Sequence, residues 1–288
     1  MSHLDHHLRD NPDYVPVPSK SLRGYLYMSP LHKPGERDPH EALEWFDKAL
    51  DDTTRMTDKE GQIGDRIVVP ADKAHVLFLL GEYEDVKIVI TELKKYIHQI
   101  NRPKAFAYIQ AHQAFALSWF GQANIERGIG CFDKALDVLP NQESWLFGKA
   151  RLHSRHSSTA DSGQGASQEE IIYNKILQIN ETHILAKVYL ALNANRRHSD
   201  FEAEWHFEKA LDYGRDRVTV VQRVAQYYES KNNLNKAMEL YNTALAIEPE
   251  SSFIHYHIGV IYRKMAQKLK AIDRTLVCRL QLDTSTWQ

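Results

Sequence analysis

Cysteine is scarce in this 288-residue sequence: Cys131 and Cys278 are the only two. A disulfide framework and a four-cysteine zinc site are excluded by count, and a reducing compartment is expected. Long apolar runs are missing as well. The longest, Val76–Leu80, is far short of the roughly 20 residues a membrane-spanning helix needs. The opening Met1–Arg9 has no apolar core and does not read as a secretory signal, so the cytoplasm is the expected location and no membrane partner is expected. A dominant charge is lacking too: 36 Lys plus Arg stand against 38 Asp plus Glu, a net charge of −2. No global field draws this chain to nucleic acid, and any RNA contact has to come from local clustering. Nucleophile elbows, phosphate-cradling glycine loops, HExxH and paired cysteines are absent, so no catalysis, cofactor or small-molecule substrate is expected. His3, His6 and His7 have a spacing that could hold a metal, but in an irregular start that supports adventitious binding at most.

What is present is repetition. Trp45–Leu50, Cys131–Leu136 and His206–Leu211 share one order after their first residue: phenylalanine, acid, lysine, alanine, leucine. Tyr173–Leu177 and Tyr241–Leu245 are weaker copies. Around them runs a small–large–small triplet at four-and-three spacing: Ala42/Phe46/Ala49, Gly128/Phe132/Ala135, Ala203/Phe207/Ala210 and Ala237/Tyr241/Ala244. That spacing puts the triplet on one helix stripe, where small residues admit a neighbouring helix and the ring fills the gap beside it. Ala203 to Ala237 is 34 residues and Ala237 to Ala271 is 34 again, the tetratricopeptide period. Val224/Ala225/Tyr228 and Ile258/Gly259/Tyr262 supply the complementary first-helix pattern, and Pro140 and Pro249 end second helices. The fold expected is all-α, a tetratricopeptide superhelical solenoid of antiparallel helix pairs with a concave inner face.

Residues 1–20 lack periodicity and are expected to be poorly ordered; residues 21–280 form an array of about six hairpins; 281–288 read as an irregular tail. Leu80–Tyr83, followed by Val86, Ile90 and Leu93, marks one of the hairpins. Two stretches read as insertions: 51–69, polar around Gly61 and Gly64, and the flexible 157–168. With no polar capping helix visible, the C-terminus reads as cut short.

Beyond the generic repeat, Ala114–Gly121, Glu126–Leu136, Ala186–Leu192, Asn235–Leu240, Ser252–Gly259 and Tyr262–Lys264, in this order, resemble the interferon-induced proteins with tetratricopeptide repeats, from about residue 22 to about 270. The resemblance implies a cytosolic antiviral effector of innate immunity, without catalytic activity, whose relatives grip single-stranded RNA ends in a basic internal pocket and assemble with each other. It points to a shortened or divergent member. It also implies site residues. Arg155 falls on a phosphate-binding arginine; Gln222 and Arg223 cover an Arg-Tyr stretch; His255, Tyr256 and His257 align with a His-His-Gln stretch; Trp119 stands where the family has a basic residue.

The residues themselves leave alternatives open. Arg151 and Arg155 are four apart on one helix face, and guanidinium forks match phosphate geometry; equally, cations suit a solvated helix end. Arg223 with Tyr256 and His257 sets a ring beside a cation that could stack a base; equally, these are a packing tyrosine and a surface histidine. Arg196–His198 and the stretch from Lys264 to Lys270 read as solvated basic turns. An RNA-binding effector is the leading expectation, with single-stranded RNA and related repeat proteins as partners. A peptide-binding adaptor is the alternative, although Val188 with Leu192, Gln222 with Gln226 and Tyr256 with Val260 lack the Lys/Asn pair of a carboxylate clamp. A relative that has lost RNA binding is the third reading.

Overall fold

The computed structural model describes Pro18, Lys20, Ser21, Gly24 and residues 38–119, 121–157 and 167–285, with side chains up to Lys270. Helices are the only regular structure among the described residues. The chain divides into two compact units, Met1–Ala186 and Lys187–Gln288.

In the first unit, α1 (Pro39–Arg55), α2 (Lys59–Leu80), α3 (Tyr83–Ile97), α4 (Pro103–Trp119), α5 (Ile125–Val138), α6 (Glu143–Ser157) and α7 (Gln168–Ile179) follow one another, with a 3₁₀ turn at Gln122–Asn124. Local chemistry sets the ends. Asp38 caps α1 by accepting from the Glu41 amide at 3.0 Å, and Asp58 caps α2 through the amides of Glu60 and Gly61 at 3.2 and 3.1 Å. Gly81, at φ 80°, closes α2 in the left-handed conformation that a side chain disfavours. Neighbouring helices pack as in tetratricopeptide hairpins: α2 on α1, α3 and α4, and α5 between α4 and α6. The triplets Ala42/Phe46/Ala49 and Phe132/Ala135 are fully buried, as their stripe requires.

The expected insertion at 51–69 is almost wholly helical. α1 runs to Arg55 and α2 begins at Lys59, so the added residues lengthen helices. Gly61 and Gly64 are packing glycines: a Cβ on Gly64 would sit 2.6 Å from Tyr108 Cβ and 2.7 Å from the Ala105 carbonyl of α4. That close approach also buries polar groups. His112 of α4 and Asp65 of α2 pair at 2.5 Å with almost no exposure of either side chain, and Gln62 Nε2 donates to the Thr53 carbonyl.

The second unit carries most of α8 (Ile184–Arg196), then α9 (Asp200–Gly214), α10 (Val218–Ser230), α11 (Leu234–Ile247) and α12 (Ser252–Ser285). Ala203/Phe207/Ala210 and Ala237/Tyr241/Ala244 are fully buried. The Phe207 ring lies 4.8 Å from that of Tyr227, holding α9 to α10. α12 continues past about residue 280, where irregular chain was expected. The stretch after Gly259 holds neither glycine nor proline to stop it. The expected disorder of 1–20 falls outside the described residues apart from Pro18 and Lys20, as do 158–166 of the expected insertion and the three N-terminal histidines.

Candidate nucleic-acid interface

Gly148 decides where α6 lies. A Cβ there would stand 2.5 Å from Phe132 Cζ and 3.0 Å from Phe115 Cε1, two rings that meet edge to face at 5.0 Å. The helix therefore rests against both rings and brings its last turn to the end of α4. There Arg155 donates from a guanidinium nitrogen to the Ser118 carbonyl. Its own carbonyl accepts from Gln122 Nε2 at 3.2 Å. Arg155 therefore clasps the carboxyl end of a neighbouring helix, where a cation also meets the negative end of that helix's dipole. Arg151, one turn earlier on the same face, is half-buried like Arg155. Trp119 adjoins the clasp and is partly exposed.

The other cation-bearing face of α6 is committed. Lys149 Nζ lies 2.5 Å from Asp133 Oδ1. Burial, then the Lys149 charge, holds the His153 imidazole below the usual histidine range, so it is neutral at physiological pH. Cys131 is buried beside Phe132, and burial pushes its thiol up, as suits a small apolar side chain.

In the second unit, Gln222 is half-buried and Arg223 exposed on α10, the Arg223 guanidinium reaching Gln226 Oε1 at 3.4 Å. On α12, His255 Nε2 donates to the Pro249 carbonyl at 2.8 Å, and the Tyr256 ring is exposed. His257 has a different employment. Its Nδ1 meets Glu229 Oε2 at 2.8 Å, and its ring stacks on Tyr241 at 5.3 Å and 17°. Lys264, expected to be solvated, meets Glu229 Oε1 at 2.8 Å, and the Tyr241 hydroxyl donates to Oε2 at 3.2 Å. An RNA phosphate at His257 would have to displace that carboxylate. The Arg196–His198 turn is occupied as well: Arg197 binds both Glu202 oxygens at 3.0 Å.

Glu229 is the residue that sequence reading missed. Its partners are 28 and 35 residues away, and the only signal was the period itself, which sets Arg263 opposite Glu229 and Lys264 next to it. Burial alone pushes the Glu229 carboxyl up, but the hydrogen bonds and charges of Lys264 and His257 outweigh it and leave the group below the usual glutamate range. As pH falls, the unfolded chain takes up this proton first. The hub's contribution is therefore complete at neutral pH and is lost as pH drops through the depressed native value. Glu229→Gln is expected to cost about 2 kcal/mol at neutral pH and to flatten the acid limb of stability, read by urea unfolding across that range.

The comparisons agree with this architecture. A tetratricopeptide-repeat family model matches residues 219–251. The human protein IFIT1 homolog B is 24% identical over 244 residues, covering 83% of this chain and 51% of its own length. The mouse interferon-induced protein with tetratricopeptide repeats 3 is 21% identical over 269 residues, 93% of this chain and 65% of that protein. Over most of its length the chain is similar, as a divergent relative, to the interferon-induced proteins with tetratricopeptide repeats. A solved human IFIT1 dimer with m7Gppp-AAAA covers 93% of this chain and 59% of its own at TM-score 0.70 and 21% identity, a likeness that shows the helical solenoid fold. The chain spans about half the length of the first curated relatives it matches. Among the described residues, no helix is long and apolar enough to cross a membrane, and no group of three His, Cys, Asp or Glu is placed to hold a metal ion.

Proposed function

We propose that this chain is a non-catalytic, cytosolic effector of antiviral defence that binds single-stranded RNA by its phosphorylated 5′ end. The observation carrying the reading is the Arg151–Arg155 pair: half-buried, one turn apart, with the Arg155 guanidinium fixed against the Ser118 carbonyl. A fork held in place by the fold loses little freedom when it meets phosphate. The IFIT1 neighbour solved with m7Gppp-AAAA, an RNA whose 5′ end carries phosphates, supports the same chemistry. In the second unit, Arg223 and the exposed Tyr256 ring are the proposed backbone and base contacts, with Gln222 and His255 beside them. His257 serves Glu229 instead.

The test is fluorescence anisotropy with one RNA sequence carrying a 5′-triphosphate, a 5′-monophosphate or a 5′-hydroxyl. Phosphorylated ends are expected to bind tighter, with affinity falling by a log–log salt slope of about −0.7 per phosphate engaged. Arg151→Glu and Arg155→Glu should each weaken binding about tenfold or more. Because Arg155 also clasps α4 and Arg151 is half-buried, circular dichroism must show native helicity for each variant before its result is read. Binding that is flat in salt, or indifferent to both reversals in folded protein, overturns the proposal.

A further inference from the structure

The second helices of the hairpins bury the small–large–small positions, with one exception. In α1, α5, α9 and α11 the central aromatic residues Phe46, Phe132, Phe207 and Tyr241 are fully buried. In α3 the matching positions are Val86, Ile90 and Leu93. Ile90 is 38% exposed, Val86 and Leu93 are half-buried, and no residue of the helix is buried. Tyr83 and Ile97, seven residues to either side of Ile90, are 57% and 45% exposed. The three form one stripe along the helix. The cause lies in the packing. α5 is held between α4 and α6, whereas α3 packs on α2 without comparable packing against α4, and α4 lies directly on α2. Among the described residues, no helix fills the place beside α3 that the next hairpin's first helix would take.

Charge narrows what fits there. Lys87, Lys94 and His98 line one edge of the stripe at seven- and four-residue steps, and Asp85 and Glu92 lie on the far side of the helix. Lys87 is paired within the helix to Glu84 at 2.6 Å. The whole helix carries three lysines against three acids and has no net attraction for an anionic lipid surface. A second copy laid antiparallel across the stripe would set the Lys87 of each chain against the Lys94 of the other. A helix with carboxylates along its matching edge meets neither obstacle.

We propose that the open face of α3 docks one amphipathic helix of another protein, with aliphatic residues at heptad spacing and carboxylates along the edge facing Lys87 and Lys94. This site is separate from the arginines of α6 and does not depend on RNA binding.

The probes are two synthetic three-heptad helices with leucine along the seam, one flanked by glutamate and one by lysine, titrated against the full chain by fluorescence anisotropy. The glutamate-flanked helix is expected to bind about tenfold tighter or more. Ile90→Glu should reduce that binding about tenfold, and Lys87→Glu with Lys94→Glu should reverse the preference between the two helices. These side chains are solvent-exposed, so thermal unfolding should be unchanged. Equal binding of the two helices, or binding indifferent to Ile90→Glu, overturns the proposal. So does an Ile90-dependent self-association in sedimentation, or Ile90-dependent binding to phosphatidylcholine–phosphatidylserine vesicles.

Discussion

Removing the imidazole in His112→Ala is expected to lower the stability of the first unit by about 3–5 kcal/mol. Asp65 and His112 pair at 2.5 Å with side-chain exposures of 2% and 5%, so truncation strands a carboxylate where water cannot reach it. The close approach of α2 to α4 at Gly61 and Gly64 seals the pair in. Hydrogen exchange should show the loss first in the amides of α2 and α4. Replacing both partners by leucine should recover most of the stability, because the strandedness disappears with the carboxylate. If His112→Ala cost less than about 1 kcal/mol, the pair would not be the buried tie its geometry indicates.

Phe132→Ala is expected to cost about 3–5 kcal/mol, the usual range for deleting a fully buried ring. The ring meets Phe115 edge to face at 5.0 Å and faces Gly148 across the α5–α6 contact. Gly148→Ala should also destabilise, since its Cβ would stand 2.5 Å from Phe132 Cζ and the ring is locked by its neighbours. The two effects should not add. With the ring gone, the alanine methyl group enters the vacated space, so the double variant is expected to be more stable than the sum of the single losses. Urea unfolding of the four proteins measures this coupling, and strict additivity would mean that α6 does not rest on that ring.

The repeat was legible because it is written in local spacing. The four-and-three triplets predict stripes, and Phe46, Phe132, Phe207 and Tyr241 lie fully buried on them. Punctuation misled where glycine served packing. Gly61 and Gly64 resemble loop residues in sequence, but the short distance to Tyr108 and Ala105 lies some forty residues away in the chain. The candidate interface was legible only as residue types. Nothing near Arg155 in sequence announces the Ser118 carbonyl, and nothing beside His257 announces Glu229. Such partners become visible once helices have stacked. The open stripe of α3 was hidden for the same reason: Ile90 fits the repeat pattern with Val86 and Leu93, and only the packing shows that it lies exposed with Tyr83 and Ile97.

The Glu229 carboxylate answers to three helices together: its own, α11 through Tyr241, and α12 through His257 and Lys264. A stacked array would ordinarily fray from its end, one helix after another. Here α12 cannot peel away without stranding the charge on α10, so the start of α12, α11 and α10 must let go in a single step, like tiles fastened by one rivet.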